Sequence, residues 1–353
     1  MNFKPSRTVI FASSVVFTLL FSAFVTLPNA DAAFVSKGSI TIGEGDGAPN
    51  HFAVDESANR LYVSDPQGTE ESISIIDTTT NTEIGQIALP ERPFGLAIDT
   101  TNNLLFATLP MTFGGGQLED LAIIDLDDNN SITLVELPGA GGNVSDVDES
   151  NNKVFIPDWN SNTVYVIDTA DNNSVSTISV NAAVGVAVNE SLDRVYVSQE
   201  LGVEDDDLVV INAATNAIVT TIDIPGEAGP HVIVVNETTG NVYVFDSNND
   251  EVHVFNGNTN TFTTTIDVSA DDVYPAGIGV NETTNQIFVS TDDNTAGWKI
   301  NVIVIDGTNN TITETATADD SGNPSAGNVA VIESTSTVYV GDSQSGGKIF
   351  FAS

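Results

Sequence analysis

A motif of fifteen residues recurs along this chain, and it restricts the possible folds more than any other feature. Three of its copies are GVAVNESLDRVYVSQ from Gly185, VIVVNETTGNVYVFD from Val232 and GIGVNETTNQIFVST from Gly277. Seven copies place an aromatic residue at the same position, 41 to 51 residues apart: Tyr62, Phe106, Phe155, Tyr196, Tyr243, Phe288 and Tyr339. Internal repeats of this period are typical of β-propeller blades.

Each repeat divides into four predicted strands, which we name A to D. An apolar strand A ends at Asp or Asn, a turn such as NETTN follows, and strand B carries the aromatic residue. After a variable loop come strand C, as in VYVIDT, a second Asn- and Thr-rich turn, and strand D, as in STISV. Val, Ile, Thr and Tyr favour strands, whereas Asn, Asp and Gly favour turns. The sequence therefore predicts an all-β, seven-bladed propeller with four-stranded antiparallel blades and the aromatic residues in its core.

The two ends of the repeat array complement each other. The last repeat stops at KIFFAS, in its third strand, while SITIGEG near the beginning matches a fourth strand. We therefore expect the N-terminal strand to complete the last blade and close the ring, which removes an open sheet edge.

The repeat resembles that of the YVTN family of β-propeller proteins. The resemblance rests on the name-giving tetrapeptide and on the Ile-Asp pair of strand C. The tetrapeptide begins at Tyr62, Tyr196, Tyr243 and Tyr339, and the pair ends at Asp77, Asp125, Asp168 and Asp306. The resemblance implies a β-propeller, and its surface-layer-like members imply an archaeal or bacterial cell-envelope location. It implies no particular activity, because similar repeats also occur in enzymes.

The N-terminus has the pattern of an export signal. Lys4 and Arg7 precede an uncharged apolar run over residues 9–27, and Ala30 and Ala32 form a signal-peptidase motif. We predict a signal peptide over residues 1–32 and one propeller domain over residues 33–353, secreted or held at the cell surface. An uncleaved N-terminal anchor is the alternative, because the run is long enough to cross a bilayer. We expect no membrane insertion of the mature domain.

The net charge of the chain limits the classes of partner that it can bind. The chain has 49 acidic and 9 basic residues, a net charge of −40, and no cysteine. Such a surface repels phosphate backbones and anionic lipids, so it argues against nucleic-acid binding and favours cations and salt-rich surroundings. Without disulfides, stability must come from core burial and ring closure.

The propeller topology separates two faces. The A–B and C–D turns emerge on one, which we call the turn face, and the B–C and D–A loops emerge on the other, the loop face. The longer B–C loops are MTFGGGQLED, QELGVEDDD and TDDNTAGWK in blades 2, 4 and 6. Since variable loops on a constant scaffold carry function, we expect the B–C loop face to bind an extracellular protein or glycan.

Seven N-x-[ST] sequons are candidate glycosylation sites. Six fall in predicted turns of the turn face and only Asn143 on the loop face, so glycans would leave the loop face clear. The alternative is that turns select Asn and Thr for backbone reasons and the repeat copies them. The sequons begin at Asn129, Asn143, Asn172, Asn189, Asn236, Asn281 and Asn309.

Acidic loop clusters are candidate calcium ligands, because calcium prefers carboxylate and carbonyl oxygens. None has EF-hand spacing, so a merely acidic surface is the alternative. The candidates lie in the B–C loops of blades 4 and 6: Asp205, Asp206, Asp207, Asp292 and Asp293. Beyond calcium, no cofactor is expected.

Three residues are candidates for chemistry at the channel mouth. His51 and His231 enter strand A of their blades after a proline, and Asp146 interrupts the apolar pattern of strand A in blade 3. His253, inside EVHVFN, is predicted to be structural. The chain lacks a cysteine nucleophile, a G-x-S-x-G motif and paired zinc-ligand histidines. We therefore predict a binding or structural module of the cell envelope, with a lactonase- or lyase-type enzyme that uses a divalent cation as the alternative.

Overall fold

Seven four-stranded antiparallel sheets follow one another along the chain, as the repeat predicts. The structure is a computed structural model. It describes residues 34–43, 48–49, 51–65, 71–109, 119–137, 144–201, 206–226, 229–269, 273–293, 299–319, 324–343 and 346–353.

The strands alternate regularly with turns, and each sheet keeps the order A–B–C–D from the channel outward. The innermost strands A are β2 (His51–Asp55), β6 (Leu96–Asp99), β10 (Asp146–Asp148), β14 (Ala183–Asn189), β18 (Pro230–Asn236), β22 (Val273–Asn281) and β26 (Ala326–Ile332). Strands B are β3 (Arg60–Ser64), β7 (Leu104–Leu109), β11 (Lys153–Asp158), β15 (Arg194–Gln199), β19 (Asn241–Asp246), β23 (Gln286–Asp293) and β27 (Thr337–Asp342). Strands C are β4 (Ser72–Asp77), β8 (Glu119–Asp125), β12 (Thr163–Asp168), β16 (Asp207–Asn212), β20 (Glu251–Asn256), β24 (Lys299–Asp306) and β28 (Lys348–Ala352). Strands D are β5 (Thr82–Ala88), β9 (Ser131–Leu137), β13 (Ser174–Ser179), β17 (Ala217–Asp223), β21 (Thr261–Asp267), β25 (Thr311–Asp319) and β1 (Ser36–Thr41).

The N-terminal strand completes the seventh blade, so the predicted closure is confirmed. Strand β1 pairs antiparallel with β28, placing Ser39 opposite Phe350 and Thr41 opposite Lys348. Ile40 in β1 and Ile42 directly after it are buried in a cluster that joins blade 7 to blade 1. The two chain ends are thereby held in one sheet.

The turn motif acts through its first and last residues. In NETTN, Asn281 accepts a hydrogen bond from the Thr284 N–H at 2.9 Å, and Asn285 adopts a left-handed backbone with φ of +54°. Asn, Asp and Gly tolerate that conformation best, which explains why the repeat keeps them there. The equivalent left-handed residues in the seven A–B turns are Asn59, Asn103, Asn152, Asp193, Gly240, Asn285 and Ser336.

The core lies between blades. Seven apolar clusters each combine side chains from two neighbouring blades, including the pair formed by the last and the first. The seven repeat aromatics are all buried, at 0 to 6% exposure, as predicted. Burial of such a side chain contributes about 1.5–3 kcal/mol, so the ring of contacts supplies much of the stability.

Helical structure is minor in the part of the chain that is described, being confined to one 3-10 turn at Glu190–Leu192. Across those same residues, no helix combines the length and apolar character that spanning a membrane requires.

Substitution of Gly341 tests the contact between the last and first blades. A Cβ atom on Gly341 would overlap the Pro49 carbonyl oxygen and reach the Phe52 ring. We expect Gly341→Ala to lower the free energy of unfolding by about 1–3 kcal/mol, because overpacking forces backbone shifts. Gly85→Ala is the control, since a Cβ atom there meets nothing within 4 Å. Equal denaturant midpoints for the two variants would contradict this account of the contact.

Candidate functional site

A cavity of about 480 Å³ lies on the axis of the propeller, where the strands A of all seven blades converge. Most of its lining residues belong to the first halves of these strands or lie just before them, so it occupies the loop-face end of the channel. One lining residue from each blade, in blade order, is His51, Phe94, Asp146, Val186, Val232, Ile278 and Asn328. Most of the lining residues are Val, Ile, Leu and Phe, and polar atoms make up a comparable share of the lining surface. This combination is typical of small-molecule binding sites.

His51 lies at the start of β2 and is 9% exposed. Its Nδ1 is 3.2 Å from the amide nitrogen of Asn328 in blade 7, and its ring packs on Phe94 with centroids 4.6 Å apart. Because an amide nitrogen can only donate, Nδ1 accepts, and the proton of the neutral ring belongs on Nε2. Burial lowers the pKa of His51 to about 4, so the ring is neutral at physiological pH.

Asp146, at the start of β10, brings a carboxylate to the same cavity. One oxygen accepts the backbone N–H of Val147 at 2.8 Å and the other that of Val188, in blade 4, at 2.7 Å. Burial raises the pKa of Asp146 to about 7, and the charges of Glu237 and Glu190 act in the same direction, although the two hydrogen bonds oppose them. The described cavity lining contains no lysine or arginine, so this carboxylate faces the cavity without a counter-charge.

The predicted pairing of His51 with His231 remains a prediction. His231 lies in β18 of blade 5, as expected from its position after Pro230, but its side chain lies outside the described residues. The cavity instead brings His51 together with Asp146.

The proposed calcium ligands lie in two separate blades, and the described ones are used locally. Asp206 in blade 4 accepts the Leu201 N–H at 2.5 Å, and Asp292 in blade 6 accepts the Ala326 N–H at 2.5 Å. Asp207 begins β16 and Asp293 ends β23, whereas Asp205 lies outside the described residues. Calcium binding there stays a prediction.

A different group of possible metal ligands lies in blade 5. Oxygens of Asp246 and Glu251 and a ring nitrogen of His253 all lie within 4.8 Å of one another. His253 is fully buried, and its two ring nitrogens lie 3.3 Å from Asp246 and 3.0 Å from the Thr265 hydroxyl. Asp246 also accepts N–H groups from the loops around it, such as that of Gly229 at 2.8 Å. These contacts organise the B–C turn, in keeping with the structural role expected of His253.

The equivalent turn of blade 3 is built in the same way around Asp158. This residue accepts the Asn160 N–H at 2.9 Å and the Ser161 hydroxyl at 2.7 Å. An aspartate at this position therefore has a structural use that does not require a metal.

The sequons differ in accessibility. Asn189, Asn236 and Asn281 are 0% exposed, and their side-chain oxygens cap A–B turns. Their role in the turn leaves them without the solvent access that a glycan needs. The candidates on the exposed surface are Asn129, Asn172 and Asn309, whereas Asn143 lies outside the described residues. Glycosylation itself stays a prediction.

A ring of six glutamates surrounds the turn-face end of the channel. Each directly follows the residue that ends strand A, and its carboxylate accepts a backbone N–H from the A–B turn of the preceding blade. For example, the Glu149 N–H donates to the Glu190 carboxylate at 2.6 Å, and the Glu190 N–H donates to the Glu237 carboxylate at 2.8 Å. Blade 2 carries Thr100 at this position, and Thr100 donates its N–H to Glu149 at 2.8 Å. The members are Glu56, Glu149, Glu190, Glu237, Glu282 and Glu333.

This glutamate ring was not predicted from the sequence, although its signal is the recurring Glu in turns such as NETTN. Burial raises the pKa of Glu190 and of Glu282, and neighbouring ring carboxylates contribute to both shifts. The channel is therefore acidic at the turn face, while the cavity at the loop face combines apolar side chains with the Asp146 carboxylate.

The pH dependence of stability tests the environment of Asp146. Its pKa of about 7 in the fold exceeds the ordinary 3.8, so the folded state retains the proton at a pH where the unfolded chain has lost it. Stability from this group should be present below about pH 4 and lost as the pH rises to about 7. Relative to that of Asp146→Asn, the free energy of unfolding of the wild type should fall by up to a few kcal/mol over this pH range, because one pKa unit corresponds to about 1.4 kcal/mol.

Urea unfolding of both proteins at several pH values measures this difference. Asp171→Asn, an exposed position in the C–D turn of the same blade, is the control. If the difference in free energy of unfolding between wild type and Asp146→Asn does not change with pH, the assigned environment of Asp146 is contradicted.

Comparisons with known proteins bear on the fold and the family. The β-propeller domain of Cps50 (Swd1) from Myceliophteria thermophila superposes with a TM-score of 0.70, covering 91% of this chain and 99% of that domain at 10% identity. At that identity, the likeness supports the fold alone. Two proteins described as "Uncharacterized protein YncE", from Salmonella typhi and Salmonella typhimurium, are each 26% identical over 188 residues. The match spans 50% of this chain and 48% of theirs, so it covers about half the length of these relatives.

The family model described as "Domain of unknown function (DUF5074)" matches residues 116–325, which is more than half of the 353-residue chain. This chain therefore belongs to the DUF5074 family.

Proposed function

We propose that this protein is an exported binding module of the cell envelope that takes up a ligand in its central cavity, at the loop face. The observation that carries the proposal is the cavity itself, built from all seven blades around a small set of polar groups. The fold supports a generic binding or scaffold role, since propellers commonly present ligand sites on their axis.

The envelope location is supported by the sequence. The charged, apolar and small-residue segments of residues 1–32 fit an export signal, and the YVTN resemblance fits a bacterial or archaeal surface protein. A net charge of −40 suits an exposed location in salt-rich surroundings. The long B–C loops of blades 2, 4 and 6, whose central residues lie outside the described ranges, would offer the surface for an extracellular protein or glycan partner.

Binding of a neutral apolar probe tests the cavity. We expect toluene to bind the full chain and to perturb the NMR signals of lining residues such as Val186 and Ile278, because its ring would bury surface against the apolar side chains of the lining. Val186→Trp, which places a large side chain in the cavity, should abolish binding. Val175→Trp, on the exposed outer strand of blade 3, is the control and should leave it unchanged. Absence of toluene binding to the folded wild type would overturn the proposed site.

Cell fractionation tests the location. We expect the protein outside the cytoplasm, with its mature N-terminus at Ala33 by intact-mass measurement. An unprocessed chain in the cytoplasm would contradict the proposed export, whereas an unprocessed chain in the membrane fraction would show the uncleaved anchor.

A lactonase- or lyase-type enzyme is the second candidate, and one observation favours it. His51 and Asp146 share the cavity, and their pKa values are shifted in opposite directions, to about 4 and about 7. Titratable groups with shifted pKa values in a cavity are frequent in active sites. Assaying γ-butyrolactone hydrolysis with and without added divalent cations distinguishes the two. Turnover that is lost in His51→Ala and retained in Asp171→Asn would favour the enzyme, whereas background rates would favour the binding module.

A further inference from the structure

We propose that the central cavity selects a small apolar molecule carrying one protonated amine, whose ammonium group contacts the Asp146 carboxylate. This inference rests on the proposed binding role of the cavity and adds the chemical class of the ligand. It follows from the charge, the hydrogen bonding and the walls of the cavity.

The first observation is an uncompensated carboxylate. Each Asp146 oxygen accepts one backbone N–H, one from Val147 and the other from Val188. An ionised carboxylate has about four acceptor positions. Acceptor capacity therefore remains for a donor from a ligand. No lysine or arginine is present in the described cavity lining. Asp146 is only partly exposed, and a charge withdrawn from water is costly unless it is paired, so a cationic ligand would be stabilised here.

The second observation is that His51, the histidine of the described cavity lining, does not supply the missing cation. His51 lines the same cavity, but its Nδ1 accepts from the Asn328 amide and its pKa is lowered to about 4. The ring is therefore neutral at physiological pH and cannot balance the charge of Asp146. Its Nε2–H instead offers one neutral donor, which suits a second polar atom of the ligand.

The third observation is the sign of the surrounding field. Glu190 lies two residues after Val188, whose N–H Asp146 accepts, so the acidic ring approaches this carboxylate. Burial is the main cause of the raised pKa of Asp146, and the charges of Glu237 and Glu190 act in the same direction. The overall charge of −40 acts in the same sense. A negative field between low-dielectric walls concentrates cations and repels anions.

The walls select an organic cation over a metal ion. Calcium requires six to eight oxygen ligands, whereas Asp146 is the one carboxylate among the described lining residues, which also include apolar side chains such as Phe94, Leu96 and Ile278. An apolar body would bury surface against these side chains, at roughly 25 cal/mol per Å², while the ammonium group meets Asp146. Benzylammonium combines the two features.

A matched series of probes tests the proposal on the full chain at pH 8 by isothermal titration calorimetry. Benzylammonium, benzyl alcohol and benzoate share one ring and differ in charge. We expect benzylammonium to bind about ten-fold tighter than benzyl alcohol, or more, and benzoate to bind weakest. In Asp146→Asn, benzylammonium should bind only as tightly as benzyl alcohol does. The affinity of benzyl alcohol itself should stay within about two-fold of its wild-type value. Asp171→Asn, the exposed control in the same blade, should change neither affinity.

The outcomes separate this inference from the function on which it rests. If toluene and benzyl alcohol bind but benzylammonium binds no tighter, the amine proposal is wrong and the cavity remains a binding site. If none of the probes binds, both proposals fall. If benzylammonium binds Asp146→Asn as tightly as wild type, its site lies elsewhere and the proposal is overturned. Asp146→Ser, a smaller neutral replacement, takes the place of Asp146→Asn if thermal melting shows that the latter is unfolded.

Discussion

The pairing of β1 with β28 is the interaction on which the rest of the structure depends. Residues from the beginning of the fold complete the last blade, and the contacts of β1 extend to both neighbours. The Phe34 N–H donates to Glu314 in blade 6 at 3.0 Å, and the Gly43 N–H donates to Glu83 in blade 1 at 3.2 Å. Without β1, blade 7 would have three strands and an exposed edge, and the cluster that joins it to blade 1 would lose Ile40 and Ile42. Ring closure therefore connects strand pairing to inter-blade packing.

The glutamate ring adds a second set of connections around the same axis. Since each glutamate belongs to one blade and accepts from the turn of the preceding one, a single repeated residue joins neighbouring blades at the turn face. These hydrogen bonds involve charged acceptors, which makes them stronger than neutral ones. They also gather like charges: burial is the main cause of the raised pKa values of Glu190 and Glu282, and neighbouring ring carboxylates contribute to both. The mutual repulsion is tolerated because the backbone donors offset it.

The fold was largely predictable from the sequence because the repeat encodes it directly. Turn residues such as Asn281 and Asn285 are selected by backbone requirements, and the seven aromatics mark the buried B strands. The N-terminal segment SITIGEG was equally recognisable, because it matches the fourth strand of the other repeats. The family comparison assigns the chain to DUF5074, while the resemblance to YVTN repeats remains an interpretation of the motifs.

The cavity was only partly predictable, because the strands A are irregular where they line it. Register shifts lie between Ala183 and Val186, Pro230 and Val232, and Ala326 and Val329. A bulge changes which side chains point inward, so the alternation of the sequence cannot assign them there. Position alone placed His51 and Asp146 near the channel, but their shared cavity depends on the arrangement of separate blades. The glutamate ring also depends on contacts between repeats, which a single repeat does not reveal.

Disulfide formation between engineered cysteines tests ring closure most directly. The natural chain contains no cysteine, so any disulfide must join the two that are introduced. Thr41 and Lys348 are register partners in β1 and β28, so the Thr41→Cys/Lys348→Cys double variant should form an intramolecular disulfide under mild oxidation. Lys37→Cys/Lys348→Cys should not, since the two positions are offset by four residues, about 13 Å along a strand. Peptide mass mapping shows which cysteines are linked. Free thiols in the first variant, or a disulfide formed equally well in the second, would contradict closure by the N-terminal strand.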